Sequence, residues 1–121
     1  HTHTHSLTQT GTGTNSDDEP PQNGFDSTLT FSRGNSETEI RAIGGGAGGS
    51  RNERCGQDGG SGGGSSWDTL DCNGLGTSGQ GHNGSNAWVN WYGGAGGGGG
   101  AGSNAIGVQS PTYHQGGDGG D

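Results

Sequence analysis

"GGAGGGGGA", residues 93–101, decides how this chain can fold. Read in threes it is Gly-Gly-Ala, Gly-Gly-Gly, Gly-Gly-Ala, and the same beat returns in "GGSGGG" from Gly59 and "GGDGGD" from Gly116. Three residues per turn is the period of the polyproline II conformation, which makes no internal hydrogen bonds and leaves every N–H and C=O directed outward. Glycine has no Cβ, so helices of this kind can approach until their main-chain groups bond one another, and buried backbone groups must be paired. The spacing predicts a bundle of polyglycine II helices with a core made of main chain. The competing reading is flexible linkers. A linker, however, has no use for Trp67, Trp88, Val89, Trp91, Tyr92 and Ile106 between its tracts.

Composition points the same way. Gly supplies 33 of 121 residues and the apolar fraction is 20%, against roughly half in an ordinary domain. Ordering each backbone unit costs about 1–2 kcal/mol. So few apolar side chains cannot offset that alone, and order must come from backbone hydrogen bonds or from partner chains. The net charge is −8, with four Arg and no Lys, which argues against nucleic acid and anionic membrane as partners. No apolar run approaches the ~20 residues of a membrane span. Cys55 and Cys72 either pair, worth about 3 kcal/mol in the entropic model, or stand as two thiols; spacing leaves both open.

Three zones follow along the chain. Residues 1–24 are a polar, extended stem that begins "HTHTHSLTQT", with period two and Thr-rich, and ends near Pro20, Pro21 and Gly24, which prevent a helix. Residues 25–43 read as a β-hairpin entry unit: Phe25, Leu29 and Phe31 alternate with polar residues, "RGNS" supplies the turn, and Glu37 to Ile43 alternates again. The expected strands are 27–33 and 37–43. Residues 44–121 form the glycine-rich domain. The expected fold class is therefore mainly irregular and β.

Catalytic motifs are absent. "GLGTSG", from Gly74, formally matches a dinucleotide fingerprint but follows no apolar strand and opens no helix. A P-loop needs the Lys that the chain lacks, the carboxylates are scattered, and "GGDGGD" is a single calcium-type repeat, too little for a calcium site. The expectation is a non-enzyme. "NAWVNWYGG" is the stretch suited to binding: Trp88, Trp91 and Tyr92 offer flat apolar faces, and Asn86 and Asn90 offer amide donors and acceptors. The same rings could instead plug the end of the glycine bundle.

"TLTFSRGNSETEIRAIGGGAGG", "GLGTSGQGHNG" and "YGGAGGGGGAGSNAIG" resemble the hairpin junction and body of the glycine-rich domains of bacteriophage tail fibres and tip adhesins. The likeness covers about residues 28–121. It implies packed polyglycine II helices whose connecting loops bind a host receptor, either a surface glycan or an outer-membrane protein, and a place on the virion surface or outside the cell. The opening His1, His3 and His5 resemble the His-x-His motif of tail-fibre needles, which implies a homotrimer with an iron-like divalent metal on its threefold axis. Alternate strand positions share a face, so the three imidazoles suit such an axis. The alternatives are a structural subunit of an extracellular glycine-rich filament and a secreted metal- or calcium-binding module.

Overall fold

The computed structural model describes residues 3–6, 20–66, 71–88, 94–107 and 119–121. These are β or irregular, and no helix occurs among them. One antiparallel sheet holds β1 (His3–Ser6), β2 (Ser27–Arg33) and β3 (Ser36–Ala42) in the order β1-β2-β3. β2 and β3 form the hairpin, with Arg33 opposite Ser36 and Leu29 opposite Ile40. The second strand begins and ends one residue earlier than the sequence reading, because the turn is only Gly34-Asn35. Gly34 has φ 62° at the first central position, where a type II′ turn requires a residue without Cβ.

Asp26 ties the sheet to the glycine-rich chain. Its Oδ1 accepts the Gly44 N–H at 2.7 Å, and its Oδ2 accepts Arg41 Nε at 2.8 Å and Arg41 Nη2. The Gly44 amide first, and the Arg41 guanidinium second, hold this carboxyl below its usual range. A carboxylate with a lower pKa folded than unfolded adds stability above its unfolded value, and the contribution is lost as pH falls through the depressed folded value. Asp26→Asn should therefore lower the thermal midpoint at neutral pH, and the gap to wild type should close in acid. Thermal melts of both proteins across the acidic range check this.

From residue 44 the chain runs back and forth as extended tracts joined by main-chain hydrogen bonds that recur every third residue. Tract 54–60 is antiparallel to tract 44–50: Gln57 N–H donates to Ala47 O and Gly60 N–H to Gly44 O, both at 2.8 Å. Tract 61–66 lies beside both, with Gly46 and Gly49 N–H donating to Ser61 O and Gly64 O, and Gly63 and Ser66 N–H donating to Gln57 O and Arg54 O. Tract 72–77 receives Gly56 and Gly59 N–H at Cys72 O and Leu75 O. Tract 82–88 receives Gly62 and Ser65 N–H at His82 O and Ser85 O, and tract 94–100 receives His82, Ser85 and Trp88 N–H at Gly100, Gly97 and Gly94 O. Gly96 and Gly99 then donate back to Ser65 O and Gly62 O.

Tract 61–66 is thus surrounded, and its residues 62–66 are buried. Only Ala87 is a buried apolar side chain among the described residues. The interior is main chain with Ser65, Ser66 and Ser85, whose hydroxyls are small enough to fit and find backbone partners: Ser65 Oγ accepts Ala87 N–H at 2.6 Å and Ser85 Oγ accepts Gly97 N–H at 2.8 Å. Glycine is required by proximity. A Cβ on Gly63 would fall inside the van der Waals radius of Ala47 O, and one on Gly64 inside that of Gly96 O.

Candidate binding end

The direction of the tracts gives the bundle two unlike ends. The β2–β3 hairpin enters at Gly44, and the turns at 60–61, 77–81 and 100–103 lie at that same end. A cavity of about 380 Å³ lined by Arg41, Ile43, Ser61 and Gln80 marks this junction, where Gln80 Oε1 accepts Ile43 N–H at 2.7 Å. The first crossing, 50–54, and the described residues that bound the second and third crossings in sequence, Ser66 and Asp71, Trp88 and Gly94, lie at the opposite end. Trp88, the one described aromatic residue of the stretch picked out by sequence, and the Cys pair both fall there.

Short-range bonds fix this distal end. In the first crossing Ser50 N–H donates to Glu53 O at 2.7 Å, and Glu53 N–H donates to Ser50 Oγ at 3.0 Å. Ser66 Oγ donates to Ser50 O at 2.8 Å, linking the second crossing to the first. Cys55 and Cys72 form a disulfide with Cα atoms 4.7 Å apart, which clamps the start of tract 54–60 to that of tract 72–77. Asp71 precedes this bond at φ 53°, a left-handed conformation that Asp tolerates better than most residues. Asn86 accepts both Cys72 N–H at 3.0 Å and Asn73 N–H at 3.1 Å on Oδ1. Its carbonyl oxygen is therefore committed to holding the strand start rather than turned outward.

Trp88 is half-buried and its N–H reaches Gly94 O at 3.2 Å, so the bundle continues to this residue before the third crossing. Asn90, Trp91 and Tyr92 lie outside the described residues, as does Trp67 in the second crossing. Sequence reading passed over "RNER", residues 51–54, because two Arg beside one Glu in a loop look like ordinary solvated charge. The fold places Arg51, Asn52 and Arg54, all exposed, on the same end as Trp88. Two of the four Arg side chains of a −8 protein thus share the end of Trp88.

Of the histidines expected to bind metal, the two described ones lie in the sheet and not with Trp88. His3 and His5 lie in β1, opposite Phe31 and Leu29 of β2, and His1 is outside the described residues. No group of three His, Cys, Asp or Glu that could hold a metal ion occurs among the described residues, and no helix among them is long and apolar enough to cross a membrane. Comparison with known proteins returns no match: no family model, no curated protein and no solved structure matches the chain significantly.

Proposed function

We propose that this protein is the distal, receptor-binding part of a phage-type tail fibre or surface adhesin, with tracts that are polyglycine II helices forming a stiff rod. The observation that carries this reading is polarity. One end joins the sheet through Asp26 and Gln80, and among the described residues the other holds a disulfide, Arg51, Arg54 and Trp88. A rod needs stiffness between its attachment and its tip, and main-chain bonds from tract 61–66 to five neighbouring tracts supply it without a hydrophobic core. Loops pinned at both ends by such a rod lose little entropy on binding, and several identical tips on one particle bind with avidity. The stem's His1, His3 and His5 would join three chains around one divalent ion at the attachment end, and the receptor would be a surface glycan or outer-membrane protein.

The test is retention of the purified protein on glycan arrays and on outer-membrane preparations. The double variant Trp91→Ala, Tyr92→Ala should lose at least about tenfold in affinity, the scale of removing aromatic anchors, and adding Trp88→Ala, at a half-buried position, should weaken binding further with some loss of thermal midpoint. Equal retention of the variant would remove the adhesin reading. The alternative is a filament subunit, and the exposed main chain along one side of the bundle favours it specifically. Polymers formed in the absence of any cell surface would support that reading.

A further inference from the structure

The bonds around tract 61–66 form an incomplete ring. Its C=O groups face tract 44–50 (Ser61, Gly64), tract 94–100 (Gly62, Ser65) and tract 72–77 (Gly63), while its N–H groups face tract 82–88 (Gly62, Ser65) and tract 54–60 (Gly63, Ser66). Acceptor and donor directions alternate around the tract. Consecutive neighbours are also bonded to each other: 44–50 to 54–60, 54–60 to 72–77, 72–77 to 82–88, and 82–88 to 94–100. No such bond joins 94–100 to 44–50 among the described residues. The third N–H direction of the central tract, that of Gly64, points into the groove between those two tracts, which no described tract fills. Gly64 is buried, yet among the described residues its N–H has no acceptor.

The groove walls carry the matching groups. In tract 44–50 the carbonyls of Gly44 and Ala47 are taken by tract 54–60, and that of Gly45 by Gly24. Gly46 O and Gly49 O form the remaining direction and accept no bond among the described residues. In tract 94–100, Gly94, Gly97 and Gly100 O are taken by tract 82–88 and Gly98 O by Gly120, which leaves Gly96 O and Gly99 O in the same condition. The glycines on the rim supply a second, independent observation. Gly45, Gly48 and Gly98 are exposed, and a Cβ on them would meet only Ser61 O at 3.9 Å, Gly64 O at 3.7 Å and Gly62 O at 3.7 Å. Packing within one chain thus gives these three positions no need to be glycine, unlike Gly63 or Gly64.

We infer that the groove takes an extended Gly-Gly-X segment from a second copy of this chain, which would complete the ring. The occupant must present, in each turn, one C=O to Gly64 and two N–H groups to the carbonyls of Gly46 or Gly49 and Gly96 or Gly99. It must also bring its own main chain as close as the other tracts come. Side chains on two of every three residues are excluded by that distance, so an ordinary peptide does not fit. This chain carries such segments, and one of them, Gly119–Asp121, already adds to tract 94–100 through the bond from Gly120 N–H to Gly98 O, with Gly119 and Asp121 exposed. Association by this route rests on the main-chain bundle but not on the histidines.

Sedimentation velocity over a concentration series, with a chelator present to remove any metal-linked oligomer, tests the inference on the full chain. Wild type should associate as concentration rises. Gly48→Leu with Gly98→Leu should associate roughly tenfold or more weakly while keeping its thermal midpoint, because a Cβ at either exposed position meets only ordinary contact, at 3.7 Å, within the chain. Amide exchange reads the site directly: Gly64 should exchange in dilute solution and become protected on association. Gly64 protected at every concentration would mean that the same chain fills the groove, and wild type that stays monomeric, or a variant that associates equally, would also overturn the proposal. Fast exchange at Gly62 and Gly63 would instead count against the bundle itself.

Discussion

Gly63→Ala is expected to be strongly destabilising for a change of a single methyl group. Gly63 is buried, donates to Gln57 O at 3.0 Å and accepts from Gly74 at 2.8 Å, and its missing Cβ is where Ala47 O sits. The obstacle is backbone on a second tract, which cannot rotate away as a side chain can. To admit the methyl, tract 44–50 must retreat, and with it go the bonds from Gly46 and Gly49 to tract 61–66. Overpacking in cores typically costs about 1–3 kcal/mol, and each backbone bond broken adds about 1 kcal/mol, enough to threaten a fold of ordinary marginal stability. Gly48→Ala is the matched control. Its Cβ meets only ordinary contact, and the loss of chain entropy in the unfolded state should leave it neutral or up to about 1 kcal/mol more stable. Calorimetric melts of the two variants should diverge strongly; equal midpoints would show that close main-chain approach is not what holds the tracts together.

Loss of the Cys55–Cys72 bond is the second large effect. The bridge spans 17 residues, and closing a loop of that length is worth about 3 kcal/mol in the entropic model. Cys55→Ser with Cys72→Ser should lower urea-unfolding stability by about that amount. The loss should be reproduced by a reductant acting on wild type and should be absent when the reductant acts on the variant. Because the bond lies at the crossings rather than along the tracts, receptor retention should suffer before the bundle melts. Unchanged stability on reduction would mean that main-chain bonds alone fix the distal end.

The hairpin was legible because its signals are local. Alternation in "TLTFS", a glycine where the turn demands positive φ, and alternation again in "ETEIRA" place both strands to within a residue. Pairing of β1 with β2 was not legible, since "HTHTHS" is equally suited to an edge strand and to a separate stem, and nothing nearby in sequence distinguishes them. Asn86 illustrates another limit. Its composition neighbours, Trp88 and Asn90, suggest a binding loop, but its side chain meets Cys72 and Asn73 only once tracts distant in sequence have been brought together.

By itself the sequence determined the chemistry of cohesion: too few apolar side chains for a core, and glycine at intervals that let main chains approach. It also set the sign of the net charge, −8. Which tracts are neighbours, which end carries the crossings, and which glycines are needed for packing were decided only by tertiary structure. The physical reason is degeneracy. Glycine tracts are nearly identical in sequence, so any one could pair with any other on local grounds, and the order is set by loop lengths, the disulfide and the few side chains, such as Asp26, Gln80 and Asn86, that have one place to bond.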